Sequence, residues 1–415
     1  MRVAIIGAGA AGLNAARILF ERGVDVQIFE ASDRVGGRIR TVYPSDGSLP
    51  IELGPEFVHG DPDLTRALVR GSKVEIEEMA EHHRIWHAGH LAEATDIWAR
   101  FGELLSAVQG PDESARAYVE RTGMAPSDAR VFGHFVEGFY GAALDDISIK
   151  TIAGDAGGAG GDESPGGYHV RGGYGRLVEA LAPRSELHLG CMVNRIDWHT
   201  RPVSITFSRG ARRVITEADR VIVTVPMGVL HAGTIQFIPD LGDRAHTLAK
   251  LAMGQVVKVV FRLREPVWNG HDVDQIDFVH VVDDATFPTY WLRSTGKSHL
   301  LTAWAGGRRA RALASESAGR LVERAVEGFA TVTGVDRSRL AAAVIEHHWH
   351  DYMRDPYSRG AYSYARVGAA EAVNQLAQPL DETLYFAGEA TDVEYEGTVA
   401  GALASGARAA EQVLG

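Results

Sequence analysis

The sequence predicts an α/β fold with two domains, and three observations support this prediction. The chain has 415 residues, more than a single hydrophobic core usually organises. Its start is typical of a strand–helix–strand unit, with apolar residues at 3–6, an Ala/Leu-rich helical stretch at 10–22 and alternating residues at 24–30. From residue 188 onward, alternating and continuous β-branched segments indicate a second group of strands.

Composition and charge exclude several classes of protein. Hydrophobic residues make up 45% of the chain and charged residues 23%, as in a folded globular protein. The formal net charge of −12 disfavours binding of nucleic acid or an anionic membrane and weakly favours cationic ligands. The single cysteine, Cys191, excludes an internal disulfide and a multi-thiolate metal site. The chain opens directly on its first strand and has no apolar run of about 18 residues, so we expect a cytoplasmic protein without a signal peptide or membrane span.

A glycine-rich turn joins the first strand to the first helix. Gly7, Gly9 and Gly12 form the pattern G-x-G-x-x-G, in which glycines permit a tight turn and let a pyrophosphate approach the helix N-terminus. Glu30 ends the second strand and is placed to accept hydrogen bonds from a ribose diol, whereas its charge repels the 2′-phosphate of NADP. The pattern therefore predicts a dinucleotide site containing Gly7, Gly9, Ala11, Gly12 and Glu30.

The next segment distinguishes FAD from NAD. Gly36 and Gly37 let the backbone come close to a ligand, and Arg38 can supply positive charge to a pyrophosphate. The run EASDRVGGR at 30–38 resembles the second fingerprint of the FAD-dependent amine oxidase superfamily, which includes monoamine and polyamine oxidases. This resemblance implies a two-domain α/β flavoprotein with a Rossmann-type FAD-binding domain and a mixed helical/β-sheet substrate domain.

The resemblance covers nearly the whole chain. Residues 52–60 (ELGPEFVHG) are similar to the family pattern E-L-G-A-x-W-I-H-G, with Pro55 in place of Ala and Phe57 in place of Trp. Residues 349–364 resemble a stretch of the polyamine oxidase branch, and residues 384–406 resemble the C-terminal flavin motif. The resemblance implies further FAD contacts at Gly37, Arg38, Gly54, Glu56, Phe57, Val193, Gly388, Glu389, Thr398 and Val399.

Lys258 is the first candidate catalytic residue. Strict alternation in VVKVVFRL places Lys258 on one face of an apolar strand, where a half-exposed structural lysine is the alternative interpretation. The chain uses only five lysines beside 37 arginines, so a primary amine within this strand is unusual for its composition. In the family, the matching lysine hydrogen-bonds a water next to flavin N5, and the resemblance assigns that role to Lys258.

Two further catalytic candidates follow from the resemblance. His59 matches a position that lines the substrate cleft in the polyamine branch, although a lone histidine is often only a structural hydrogen-bonding group. Tyr362 matches the aromatic residue that flanks the substrate amine, and a buried core tyrosine is the alternative. Trp349, Tyr362 and Thr398 are the expected substrate contacts. Thr398 replaces the second tyrosine of monoamine oxidases, so a two-walled aromatic cage is not expected.

The histidine clusters are not expected to bind metal. His347, His348 and His350 lie near Asp351, but adjacent strand residues point to opposite faces, so no metal is predicted. His82 and His83 are expected at the surface.

The resemblance implies FAD-dependent oxidation of a polyamine or other secondary or primary amine to an imine or aldehyde, with O₂ reduced to H₂O₂. Alternatives on the same fold are a desaturase or protoporphyrinogen-type oxidase, and an L-amino acid oxidase. Cys191 lies far from the C-terminal part, where covalent monoamine oxidases attach FAD, so non-covalent FAD is expected. The expected partners are a small-molecule amine and O₂, with the chain as a monomer or homodimer.

Both domains are predicted to be discontinuous. The FAD-binding domain is expected at 1–65, 166–240 and 352–415, because both chain ends contain a strand that leads into a helix. The substrate domain is expected at 66–165 and 241–351. Within it, residues 63–149 are interpreted as a mostly helical insertion, and the glycine-rich residues 154–175 as a loop that crosses between domains.

Overall fold

A five-stranded parallel sheet connects the two ends of the chain in the computed structural model. The structure describes residues 1–59, 65–67, 74–94, 97–158, 167–182, 184–268, 275–296 and 298–415. The sheet has the strand order β21-β12-β1-β2-β8. Its strands are β1 (Arg2–Ile6), β2 (Asp25–Phe29), β8 (Glu186–His188), β12 (Arg220–Val223) and β21 (Leu384–Phe386).

Side-chain alternation along β1 explains how this sheet is covered on both faces. Val3 and Ile5 pack with helices α1 (Ala10–Glu21) and α13 (Val399–Leu414). Ala4 and Ile6 point the other way and pack on a four-stranded sheet of order β11-β10-β9-β13. The strands of that sheet are β9 (Cys191–Asp197), β10 (Val203–Arg209), β11 (Arg212–Ala218) and β13 (Gln236–Ile238). The central strand is thus buried on both sides, as is typical of parallel sheets.

A second, larger sheet forms the other half of the molecule, in the order β19-β15-β18-β17-β16-β5-β6, with β7 also paired to β5. It contains β5 (Ile76–His87), β6 (His90–Glu93), β7 (Gly167–Val170), β15 (Val256–Leu263), β16 (Gln275–Val281), β17 (Thr289–Thr295), β18 (Ser298–Gly306) and β19 (Val344–Trp349). Val257, Val259 and Phe261 of β15 pack against helix α10 (Ala318–Thr333). The alternate residues of β15, among them Lys258, therefore face away from this core.

A helical layer lies over the opposite face of the large sheet. It contains α2 (Ile97–Ser106), α3 (Ala115–Thr122), α4 (Pro126–Tyr140) and α5 (Ile149–Gly158). Phe101, Phe132 and Phe135 belong to its core. Helix α4 ends at Gly141, whose φ of 61° is the left-handed conformation favoured by glycine after a helix.

Short elements connect these layers. The strands are β3 (Thr41–Val42), β4 (Ile51–Glu52), β14 (Leu251–Met253) and β20 (Ser363–Ala365). The helices are α6 (Gly175–Ala180), α7 (Met227–His231), α8 (Arg244–Ala249), α9 (Gly307–Leu313), α11 (Arg337–Ala343) and α12 (Ala372–Ala377), with a 3₁₀ turn at Glu389–Thr391.

The structure corrects two of the predicted segments. The described part of residues 63–149 is not helical throughout, because it also contains the twelve-residue strand β5 and its partner β6. The polar sequence of β5 does not indicate a strand. Parallel pairing with β16 stabilises it as one. The predicted crossing loop at 154–175 is also interrupted, since α5 continues to Gly158 and β7 begins at Gly167, and its residues 159–166 lie outside the described parts of the chain.

The predicted α/β fold class is confirmed by this combination of a covered parallel sheet and a mixed helix-and-sheet half. The exact domain boundaries stay a prediction. Strand β7 falls in the segment predicted for the first domain, yet it pairs with β5 of the large sheet. Among the described residues, no helix is both long and apolar enough to cross a bilayer.

Candidate active site

A cavity of about 860 Å³ joins the two halves of the molecule. At one end it follows the carboxyl ends of the parallel strands, where Gly7, Glu30 and Gly388 line it. At the other end it lies between the large sheet and helix α4, where Lys258 and Phe139 line it. Ligands of open α/β sheets bind at the carboxyl ends of the strands, so this cavity is the candidate active site.

The first glycine turn is shaped for close approach of a ligand. Gly7 has a φ of 111°, which L side chains rarely adopt. A Cβ on Gly12 would lie 2.1 Å from the Gly7 carbonyl oxygen, so Gly12 is required for packing of the helix on the turn. A Cβ on Gly9 would meet no atom within 4 Å, since Gly9 borders the cavity. Gly7, Gly9 and Ala11 line the cavity, whereas Gly12 lies outside it and packs against the turn.

Glu30 accepts a hydrogen bond from the glycine turn and can still accept one from a ligand. Its Oε2 accepts a hydrogen bond from the backbone N–H of Ala8 at 2.8 Å, and its Oε1 accepts from the N–H of Ser32 at 2.9 Å. The Ser32 hydroxyl donates to the same Oε1 at 2.8 Å. A carboxylate oxygen can accept two hydrogen bonds, so Oε2 can accept a second one from a sugar hydroxyl.

A partly buried ion pair joins the second glycine segment to the C-terminal motif. Arg38 Nη1 lies 2.8 Å from Glu389 Oε1 and donates to the Ala361 carbonyl at 2.7 Å. Glu389 Oε2 accepts from the Ser363 hydroxyl at 2.6 Å. These bonds hold the walls of the cavity together from three distant parts of the chain.

The last helix begins at the cavity. Thr398 caps helix α13, because its Oγ1 accepts from the Gly401 N–H at 3.0 Å and donates to the Tyr395 carbonyl at 2.8 Å. Its hydroxyl is therefore already engaged, although Thr398 lines the cavity together with Val399 and Val193.

These groups fit a flavin dinucleotide. The open space at Gly9, the acceptor at Glu30, the positive charge of Arg38 and the N-terminus of α13 match the pyrophosphate, ribose and flavin parts of FAD. Gly37, Gly54 and Gly388, which the resemblance implies as FAD contacts, also line the cavity.

Lys258 and Glu56 form a buried ion pair at the junction of the two halves. Lys258 Nζ lies 2.7 Å from Glu56 Oε2 and donates to the Gly54 carbonyl at 3.2 Å. The side chains are only 5% and 7% exposed. Burial raises the pKa of Glu56, but the charge and hydrogen bond of Lys258, together with smaller contributions from His169 and Arg293, outweigh it, so the pKa lies below its usual range.

Trp291 completes the surroundings of this pair. Its Nε1–H donates to Glu56 Oε1 at 3.3 Å, and Lys258 Nζ lies 5.4 Å from the centre of its ring. The resemblance implied that Glu56 contacts FAD, but in the structure the Glu56 carboxylate is directed to Lys258 and Trp291. Glu56 is thus the partner of the lysine, and because it also lines the cavity, its contact with FAD stays a prediction.

His59 and Tyr362 both meet Phe139 beside this pair. The His59 ring lies 5.3 Å from the Phe139 ring, and burial lowers the pKa of His59 to about 4, so its imidazole is neutral at neutral pH. The Tyr362 hydroxyl donates to the Phe139 carbonyl at 2.8 Å, and burial raises the pKa of the phenol. Both rings line the cavity, while the Tyr362 hydroxyl is held by the backbone.

Trp349 does not line the cavity. It pairs with Val259, and its side chain packs against the core between β15 and α10, on the face of the sheet opposite to Lys258. The strand alternation explains this position and corrects the expectation that Trp349 contacts the substrate.

The sequence interpretation missed an aromatic wall of the cavity. Phe57, which was predicted, packs with Phe278 at 5.6 Å and Trp291 at 5.5 Å, but neither partner was singled out. His83 was expected at the surface, yet it lines the cavity and stacks on Phe278 at 4.9 Å. The alternation within β5, β16 and β17 is the signal that could have placed these side chains on one face.

No cluster of three or more histidine, cysteine, aspartate or glutamate side chains in the described ranges could hold a metal ion. His350 instead lies 2.8 Å from Arg40 and 2.7 Å from Asp355.

The covered parallel sheet, the glycine turn and the cavity define a dinucleotide-binding flavoprotein of the two-domain type. A family model for flavin containing amine oxidoreductase matches residues 10–414, and the chain belongs to this family. This confirms the predicted family, its flavin cofactor FAD and the class of flavin-dependent amine oxidoreductases.

Individual relatives are similar over the full chain. Polyamine oxidase 3 of Oryza sativa subsp. japonica is 28% identical over 98% of this chain and 88% of its own length. Lysine-specific histone demethylase 1 homolog 3 of Arabidopsis thaliana is 28% identical over 100% of this chain, which spans 30% of that protein. A solved structure of wild-type putrescine oxidase bound to putrescine superposes with a TM-score of 0.82 at 22% identity, covering 100% of this chain and 99% of that chain.

Proposed function

We propose that this protein oxidises a small-molecule amine with non-covalently bound FAD and passes the electrons to O₂, forming H₂O₂. The observation that carries the proposal is the buried Lys258–Glu56 pair, which borders the same cavity as the FAD-type glycine turn. FAD supplies a hydride acceptor for the α-carbon of the amine when it is bound. The product imine then hydrolyses to a carbonyl compound.

The residues that hold FAD are those that line the strand ends of the cavity. With FAD bound, Glu30 would accept a hydrogen bond from the ribose and Arg38 would place positive charge near the pyrophosphate, while Glu389 holds Arg38 in place. The N-terminus of α13 at Val399 offers backbone donors to the flavin end. No covalent attachment is expected, because Cys191, the only cysteine in the sequence, lies outside the C-terminal segment 384–406 that resembles the flavin motif.

Lys258 is positioned to act through a hydrogen bond. An ammonium has three donors, and two of them are used by Glu56 and the Gly54 carbonyl. The third can hold a water or a substrate atom in the cavity. Glu56 keeps this donor oriented, and its negative charge offsets the cost of burying the positive charge of Lys258.

His59 and Tyr362 line the part of the cavity that we propose binds the amine. A neutral imidazole at His59 can accept a hydrogen bond from the incoming amine. The Tyr362 ring offers a flat face to a cation, and its hydroxyl bond to Phe139 fixes the ring. An amine must lose its proton before it can give up a hydride, so activity rises with pH toward the pKa of the substrate.

Polyamines and other secondary or primary amines are the proposed substrates, because the motif around His59 resembles the polyamine branch. We further propose a cytoplasmic enzyme that acts as a monomer or homodimer. The test is a peroxide-coupled screen of the purified, FAD-loaded protein with diamines, polyamines, arylalkylamines and amino acids. Peroxide formation with an amine supports the proposal, whereas a yellow protein that yields none with any of them favours the desaturase alternative.

A further inference from the structure

Three histidines form a hydrogen-bonded chain where the cavity passes beneath helix α4. His83 Nδ1 of β5 lies 3.1 Å from His280 Nε2 of β16, and His280 Nδ1 lies 3.2 Å from His134 Nε2 of α4. All three line the cavity. Burial lowers the pKa of His134 to about 3 and that of His280 well below its usual range, so both are neutral.

The carboxylate of Glu81 lies at the His83 end of this row of hydrogen-bonded histidines. Glu81 Oε2 lies 3.2 Å from His83 Nε2, and the Glu81 side chain is 12% exposed and lines the same cavity. Glu81 Oε2 faces His83, so the second carboxylate oxygen of Glu81 is a strong acceptor that this cluster can offer to a ligand.

Side-chain alternation along β5 places the Glu81 carboxylate and the Arg84 guanidinium on opposite faces of the strand. Glu81 and His83 share one face of β5, and His82 and Arg84 lie on the other face. There both His82 and Arg84 contact Asp277, which is fully buried. The cavity side of β5 therefore carries negative charge from Glu81.

Stacked rings form the adjoining wall. The rings of Phe278, His83 and His280 are nearly parallel, with neighbouring centroids 4.9 Å and 5.4 Å apart. Trp98 stands edge-on to His83 at 6.0 Å. Aromatic faces attract cations, and next to a carboxylate they form a place suited to an alkylammonium group.

The aromatic contacts limit the distance from this wall to Lys258. Lys258 Nζ lies 5.4 Å from the centre of the Trp291 ring, the Trp291 ring lies 5.9 Å from the Phe278 ring, and the Phe278 ring lies 4.9 Å from the His83 ring. These three distances together place the His83 ring at most about 16 Å from the Lys258 ammonium.

We propose that Glu81, supported by His83 and the stacked rings, binds the distal ammonium group of a long linear diamine whose other amino group is oxidised beside Lys258. Glu81 is thereby a specificity-determining residue, and the chain His83–His280–His134 positions the wall around it. The inference rests on the proposed amine oxidation and adds the site that selects the substrate.

The test compares diaminodecane with decylamine, which has the same length but no distal charge. We expect the wild-type enzyme to use diaminodecane with a kcat/KM about 10-fold to 100-fold higher, chiefly through a lower KM. Glu81→Gln removes this preference and leaves decylamine oxidation unchanged, whereas Glu81→Asp retains part of it. Diaminobutane, which is too short to reach Glu81, is expected to respond little to Glu81→Gln.

Glu78→Gln is the matched control, because Glu78 lies on the same strand, is exposed and does not line the cavity. FAD content and Tm of each variant are measured alongside the kinetics to show that the fold is intact. An equal loss with both long substrates in Glu81→Gln, or no preference for diaminodecane in the wild type, would overturn the inference. Absence of oxidation with every amine would instead contradict the proposed function itself.

Discussion

Lys258 Nζ lies 2.7 Å from Glu56 Oε2 in a buried ion pair, although Lys258 is on strand β15 and Glu56 follows β4, some 202 residues earlier. Burying a charge is costly unless a partner compensates it, so each side chain makes the other tolerable in the interior. This relationship leads to two predictions, one on stability and one on the reaction.

Breaking the ion pair from one side is expected to destabilise the protein more than removing both charges. Glu56→Gln leaves the Lys258 ammonium buried without a countercharge, at a cost of about 3–5 kcal/mol in the free energy of unfolding. The double variant Glu56→Gln with Lys258→Met removes the unpaired charge and is expected to regain part of this loss. Urea denaturation of the wild type, both single variants and the double variant measures the coupling. Additive effects would show that the two residues do not stabilise each other.

Lys258→Met is expected to slow flavin reduction or reoxidation by at least about tenfold, because the variant loses the donor that faces the cavity. FAD should stay bound, since Lys258 lies on β15 of the large sheet, whereas the glycine turn and Glu30 lie at the parallel sheet. Stopped-flow measurement of each half-reaction gives the two rates separately. Arg262→Met is the control on the same strand, as Arg262 pairs with Glu346 and Asp46 outside the cavity. Unchanged rates in both half-reactions of Lys258→Met would remove Lys258 from the mechanism.

Two alanine substitutions in the first glycine turn are expected to have opposite consequences. Gly9→Ala adds a Cβ that meets no protein atom within 4 Å, so the apoprotein should keep its Tm while its affinity for FAD falls. Gly12→Ala places a Cβ 2.1 Å from a carbonyl oxygen, so it should lower the Tm even without FAD. Fluorescence titration with FAD and thermal unfolding of both apoproteins provide the check. Equal FAD affinity of Gly9→Ala and wild type would mean that the turn does not approach the ligand.

His169 is expected to make the fold sensitive to acid. It is 1% exposed, and burial, reinforced by the nearby Arg293 cation, lowers its pKa from 6.5 to about 3. Below pH 6.5 the unfolded chain binds a proton that the folded chain does not, so stability falls as the pH drops. Between pH 7 and pH 5 this contributes about 2 kcal/mol of lost stability.

His169→Leu should remove that part of the pH dependence, as measured by urea denaturation at both pH values. The exposed His90 provides the control, because His90→Gln should leave the pH dependence as it is in the wild type. A wild-type stability that does not change over this range would contradict a buried neutral His169.

Much of the part of the cavity assigned to FAD could be predicted from local sequence, because the glycine turn and Glu30 depend on backbone geometry and on residues close together in the sequence. Glu56 and Trp349 could not be assigned in this way. The partner of Glu56 lies on a strand of the other half of the molecule, and the direction of Trp349 depends on the alternation of a strand whose pairing is set by the fold. The polar strand β5 was missed for the same reason, since its neighbours in the sheet, and not its own residues, make it a strand.

The most direct test of the account is anaerobic mixing of the FAD-loaded protein with a diamine, followed by admission of air. The account predicts loss of the yellow flavin absorbance at a rate that rises with pH toward the pKa of the amine, and then formation of peroxide in step with the return of the colour. A protein that binds FAD but is not bleached by any amine, or is bleached at a rate independent of pH, would contradict it.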